Sequence, residues 1–229
     1  REAFQRLMPM GGALAFDGCA WADADVAQLV AALRHAHAAG ATTQANNLRL
    51  GSNRLTDAAL PPLVEAFEAG AMPRVIFLGL ERNELTDAGL ATLRPLLAGR
   101  LSGLVELSFG SRLTADGARM LAALVAEGHL AQLETLFLSG NRELGDAGTA
   151  AIAEAMATGR LTRLAQLQLD GTGMGDAGAA ALGAALGGAP ALETLVVGEN
   201  AFGAAAAEGL KAACKARGVA AMADYFDAL

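Results

Sequence analysis

Phe77 and Phe137 are the residues from which a functional reading of this chain starts. Aromatic residues are only 4% of its 229 positions, yet these two fall where the local pattern turns side chains toward solvent. Arg49, Glu81 and Glu106 share that pattern. Aromatic anchors beside a guanidinium and carboxylates suit non-covalent recognition, the composition of binding hot spots. Gln168, Asp170 and Val196 complete the candidate partner-binding set. A structural reading competes: Phe77 folds over a neighbouring glycine, Gly51 or Gly79, to cover a sheet that lacks side chains there.

Covalent chemistry has little to work with. Of the three histidines, His35 and His37 are two apart on an expected helix and so face different ways. His129 stands alone in an expected turn. No Cys-x-x-Cys, His-Glu-x-x-His or Gly-x-x-x-x-Gly-Lys-[Ser/Thr] stretch occurs. The 28 glycines recur with the period described below, which makes them turn and cap residues, not a phosphate cradle. The triplets Asp-Ala-Gly at 87–89, 146–148 and 176–178 belong to successive copies, where each Asp is placed to cap a helix rather than to hold calcium. The chain therefore reads as non-catalytic, with no cofactor and no metal.

What must position these residues is a repeat. The pattern Leu-x-Leu-x-x-Asn-x-Leu-x-Asp-x-Gly is clearest at Leu78, Leu80, Asn83, Leu85, Asp87 and Gly89. Its first leucine recurs at Leu14, Leu48, Leu78, Leu107, Leu136, Leu167 and Leu195, in steps of 34, 30, 29, 29, 31 and 28 residues. The second reads Phe16, Leu50, Leu80, Phe109, Leu138, Leu169 and Val197. The next fixed place reads Cys19, Asn53, Asn83, Asn141, Thr172 and Asn200, with a lapse near Arg112. Leucines alternating with exposed residues are a strand signal. Asn satisfies backbone groups in a turn. Asp57, Asp87, Asp146 and Asp176 stand where each would cap a helix. Helix-spaced stripes follow, such as Val26, Leu29, Val30 and Leu33, and Gly70, Gly99, Gly128, Gly159 and Gly188 fall where helices should stop. Pro61 and Pro62 predict a late start for the second helix, and Pro95 a short or kinked third. The missing Asn at Gly110–Arg112 reads as loop drift, or as a notch for a partner.

This pattern resembles the leucine-rich repeats, and the unit length with Asp-x-Gly opening a helix resembles their ribonuclease-inhibitor-like class. The resemblance covers nearly the whole chain. It implies one domain over 1–229: an N-terminal cap (1–13), repeats (14–217) and a C-terminal cap (218–229). The implied fold is an α/β horseshoe, a right-handed solenoid of about seven repeats with parallel strands on the concave face and helices on the convex face. It also implies a non-catalytic protein-interaction scaffold that binds a protein partner on the concave face. The same repeats form the Ran GTPase-activating proteins, so a regulator of a small GTPase is an alternative, with Asn47 and Arg49 exposed on an early strand. They also resemble the sensor arrays of nucleotide-binding immune receptors, so a sensor domain of a larger receptor is another.

Bulk properties narrow the partner class. The net charge of −7, with scattered basic residues, argues against nucleic acid. Mean hydropathy is +0.35, but alanine causes most of it. No run of about twenty strongly apolar residues is present, which argues against membrane insertion. The alanine-rich helices suggest a subunit of a larger assembly. Cys19 and Cys214 lie six strands apart, roughly 29 Å at the usual strand spacing, beyond the ~7 Å a disulfide spans. Cys19 reads as a buried repeat cysteine. Without a disulfide framework, an intracellular compartment is expected. The start at Arg1 reads as processing or trimming, which allows for a lost targeting segment. At the ends, Phe4, Leu7 and Met8 suggest a capping helix. Residues 218–222 suggest a last, degenerate strand, with Tyr225 and Phe226 folding over it as a cap or serving as a docking peptide.

Overall fold

Short strands and single helices alternate along the whole of the computed structural model, which describes residues 12–41 and 43–222. The strands are β1 (Ala13–Ala15), β2 (Asn47–Arg49), β3 (Phe77–Thr86), β4 (Glu106–Arg112), β5 (Thr135–Phe137), β6 (Gln166–Gln168), β7 (Thr194–Val196) and β8 (Ala220–Met222). Between them run α1 (Asp23–Ala38), α2 (Leu60–Glu68), α3 (Asp87–Ala98), α4 (Ala115–Ala126), α5 (Gly145–Ala157), α6 (Asp176–Ala185) and α7 (Ala204–Arg217). All eight strands form one parallel sheet in chain order. The seven marker leucines stand side by side across it, from Leu14 opposite Leu48 to Leu167 opposite Leu195, and Ala221 closes the row. This is the expected α/β solenoid. Strands lie about 4.8 Å apart while a helix is about 10 Å wide, so helices on one side curve the sheet with its open face inward.

Three-residue strands cannot hold a stack together, and buried asparagines supply the missing bonds. Asn83 shows the pattern. Its Nδ2 donates to the carbonyl of Leu80 in its own repeat and to that of Leu50 in the repeat before, at 3.1 and 2.9 Å. Its Oδ1 accepts from the Leu55 N–H at 3.0 Å. Asn53, Asn141 and Asn200 repeat this geometry, each clamping the turn of an earlier unit. The residue just before each is left-handed: Ser52, Arg82 and Glu199 at φ of 54°, 52° and 53°, and Gly140 at 77°. The turn folds back there so that the amide reaches inward.

The aspartates differ from expectation. In three repeats the capping oxygen belongs to threonine: Thr56, Thr86 and Thr114 accept from Ala58, Ala88 and Asp116 N–H. Each aspartate instead reaches the following repeat. Asp57 accepts from the Thr86 N–H at 2.9 Å and the Thr86 hydroxyl at 2.6 Å. Asp23 holds Thr56 and Asp87 holds Thr114 in the same way. Asp146 accepts from Gly175 and Gly178, and Asp176 from Gly203. This explains the glycine of Asp-x-Gly. A Cβ on Gly89 would collide with the Asp57 carboxylate, and one on Gly117 with that of Asp87. Motif and neighbour must be read together: the Asp of one unit fills the gap left by the Gly of the next.

The lapse near Arg112 has a backbone remedy. Strands β3 and β4 run on, and Thr86 pairs with Arg112 after a register shift. The sheet continues there, so the segment is extended strand and not the drifting loop expected. Helix α2 starts late, as the prolines predicted, after a 3-10 turn at Asp57–Ala59. Helix α3 is not short: it runs twelve residues through Pro95. Both Pro95 and Ala91, whose carbonyl the proline leaves without an amide, are exposed, so water reaches the gap. Cys19 is exposed, against expectation. Asn53, Asn83 and Asn141 are buried because they fill an earlier turn, and β1 is the first strand described. Cys214 is buried and both thiols are free.

Part of the alanine serves close packing within the stack. Ala151, Ala153 and Ala155 of α5 are buried. They lie on α5, which packs more extensively on α4 and α6 than other neighbouring helices pack on each other. The proposed cap residues Phe4, Leu7 and Met8, and the tail at Tyr225 and Phe226, lie outside the described residues.

The aspartate–glycine fit makes a direct prediction. Gly89→Ala should lower the stability read from urea melts by about 1–3 kcal/mol, as overpacking does. Part of that loss should disappear in an Asp57→Ala background. Gly209→Ala, on α7 with no atom near the new methyl, should instead gain up to about 1 kcal/mol.

A candidate binding hollow on the open face

Strand alternation leaves every second side chain on the face away from the helices. The strand register orders these side chains in rows. One row runs Asn47, Phe77, Glu106, Thr135 and Gln166; the next runs Arg49, Gly79, Ser108, Phe137, Gln168 and Val196. A hollow of about 450 Å³ opens over the middle of these rows. Arg49, Phe77, Glu81, Glu106, Phe137, Gln168 and Asp170 line it, seven of the eight residues singled out from sequence. Val196 does not. It is 1% exposed, enclosed between Gln168 and Met222 on the flanking strands, and is withdrawn from the contact set.

The hollow exists because its floor lacks side chains. Gly79 stands in its row between Arg49 and Ser108, and Gly51, two residues after Arg49, stands beside Glu81. The Glu81 carboxylate lies over both: a Cβ on Gly79 would come 3.3 Å from Oε2, and one on Gly51 would overlap Oε1. Glu81, not Phe77, covers these glycines; no Phe77 atom is among the nearest to either. Phe77 and Phe137 are half-buried and stand diagonally, with Glu106 beside the first and Ser108 beside the second.

Several polar atoms on this face are buried and unbonded: Asn47 Oδ1, Glu81 Oε2, Ser108 Oγ and Gln168 Nε2. Such groups are uncommon in folded chains and mark sites where a partner group is expected. Asp17 and Asp170 at the rim are engaged, accepting from the Gly51 N–H at 2.9 Å and the Ser139 hydroxyl at 2.5 Å. Burial pushes the Glu106 carboxyl above its ordinary range; Arg49 pulls it back and Glu81 adds to the rise. Among the described residues, no three His, Cys, Asp or Glu side chains are placed to hold a metal ion, and no helix is long and apolar enough to cross a membrane.

Strand alternation also puts Ser108, Gly79, Asp17 and Ser139 on this face, and all four line the hollow. Sequence reasoning missed Ser52 and Arg82, which also line the hollow. Both sit just before the repeat asparagine in the left-handed turn, outside strand alternation. Their place in the motif is the signal that would have found them.

No protein-family model matches the sequence, and no curated protein matches it. Among solved structures, an internalin from Listeria monocytogenes is similar at 17% identity and a TM-score of 0.35, over 87% of this chain and 68% of that one. At that distance nothing about the internalin's role carries over to the residues of this hollow.

The Glu106 environment predicts a pH effect. Its carboxyl holds a proton to higher pH folded than unfolded, so the native state binds more protons across that window. The Glu106 contribution to stability is fully present below the ordinary value of 4.5 and is lost as pH rises through the raised value. Glu106→Gln should therefore be more stable than the parent chain at neutral pH, with the difference vanishing below about pH 4. Urea midpoints measured across that range decide it; a constant offset would contradict the burial effect.

Proposed function

We propose that this chain is a non-catalytic protein-binding scaffold that grips a partner through the hollow on its open face. The contact set is Arg49, Phe77, Glu81, Glu106, Phe137, Gln168 and Asp170. The observation that carries the reading is their convergence: residues drawn from five different strands, 121 positions apart at the extremes, line one hollow with two half-buried phenylalanines in it. Glu81, rather than either phenylalanine, lies nearest to Gly51 and Gly79, which favours recognition over packing as the role of the phenylalanines. The repeat length and the full helix in most units support the ribonuclease-inhibitor-like class. The alanine reading no longer argues separately for a larger assembly, since three alanines of α5 are used inside the stack.

The test is a capture experiment paired with melting curves. Phe77→Ala and Phe137→Ala should each shift Tm by no more than about 2 °C, as expected for changes below about 0.5–1 kcal/mol in a chain of this size. Together they should reduce recovery of bound protein from native lysate at least about tenfold, the loss expected of hot-spot residues. Arg119→Ala, on the convex side, should leave recovery unchanged. Equal losses of stability in both phenylalanine variants, with recovery intact, would assign the pair to packing instead.

A further inference from the structure

We propose that the hollow receives a cationic side chain, a lysine or arginine on an extended segment of a protein partner, held between Phe77 and Phe137 against Glu81 and Glu106. This rests on the protein-binding reading and adds the chemistry of what binds.

Charge is the first argument. Four carboxylates line the hollow (Asp17, Glu81, Glu106 and Asp170) against two guanidinium groups, Arg49 and Arg82. The two rim aspartates already accept hydrogen bonds. The two glutamates at the centre form no ion pair among the described residues, and Glu81 Oε2 is shut off from solvent without a donor. A carboxylate that has lost water and gained no donor is the state a buried cation relieves. An anion would add to the excess negative charge. A purely apolar group would leave Glu81 and Ser108 without partners.

The second argument is independent of the acidic cluster. Ser108 is 3% exposed and Gln168 6% exposed, both line the hollow, and each has a polar atom with no partner. The Ser108 hydroxyl accepts from an ammonium or guanidinium, and the Gln168 amide nitrogen donates to a backbone carbonyl of the segment that carries it. The floor thus offers an acceptor and a donor to such a segment arriving from above.

The walls fit the same guest. Phe77 and Phe137 lie two strands and two residues apart, about 12 Å between Cα atoms by strand spacing and rise. That gap admits one slender aliphatic stem, and ring faces attract a cation lying against them. A divalent metal fits less well, since among the described residues no three carboxylates converge on one point.

The experiment pans a display library of unstructured peptides against the full chain, then measures affinities of the enriched peptides. The expected result is a single near-invariant lysine or arginine. Replacing it with acetyl-lysine or citrulline should weaken binding at least tenfold, as should the double change Glu81→Gln and Glu106→Gln in the protein. Far-ultraviolet circular dichroism and melting curves check that the doubly changed protein is folded. If that variant unfolds, the single change Glu106→Gln carries the test with the same threshold reduced to threefold. Enrichment of apolar or acidic peptides, or of none, overturns the proposal. So does binding that is lost in Phe77→Ala and Phe137→Ala but untouched by the glutamine changes, and that outcome leaves the protein-binding reading standing. Lysate capture indifferent to all four positions removes both.

Discussion

A strand of three residues exposes nearly as many backbone polar groups at its end as it pairs, and the stack depends on how those groups are satisfied. The answer lies in the next repeat. Each asparagine bonds its own turn and the turn before it, so no unit is complete until its successor is in place. Asn141, fully buried, joins Phe109 and Leu113 of the fourth unit to Leu138 of the fifth. The bonds are individually modest, but an unmade one in a dry interior is costly. Nearest-neighbour dependence of this kind is what makes a solenoid behave as a line of coupled units.

A second ladder joins the helical side, and it changes character along the chain. Asp23, Asp57 and Asp87 each hold the backbone and hydroxyl of the next threonine. In the fourth unit Ala115 stands at the equivalent place and Asp116 pairs with Arg119 instead. The fifth unit opens at Gly145 with no side-chain cap. Close packing of α4 on α5 through small residues takes over there, and aspartate bonding resumes toward Gly175 and Gly203. Two chemically different joints thus keep the marker leucines in one register.

The open face draws on this rigidity. With the turns between strands bonded inside the stack, the sheet tolerates glycines at two diagonal outward positions, Gly51 and Gly79. Their missing side chains make the depression, Glu81 lies over them, and the phenylalanines rise at its flanks. The resulting mixture of buried acceptors, half-desolvated carboxylate and aromatic surface is one that a folded chain alone leaves unsatisfied.

Much of this was legible from residue types. Periodicity set the strands, their order and the face each side chain occupies, because alternation and a fixed repeat leave little freedom; seven of the eight chosen contact residues converge for that reason. Val196 failed because the pattern says which face a residue takes but not how its neighbours crowd it. Cys19 failed because position in a motif implies burial only when a preceding turn exists to be filled. Pro95 did not shorten its helix, because its cost depends on whether the released carbonyl meets water. The aspartates were placed correctly and given the wrong partner, since local spacing suggests a local cap while the carboxylate spans to the adjoining unit. Sequence alone determined the repeat, the parallel order and the outward face, all consequences of short-range periodicity. Only the tertiary structure decided which residues about thirty apart complete one another and where the face sinks into a hollow, because those depend on contacts between units that no single unit encodes.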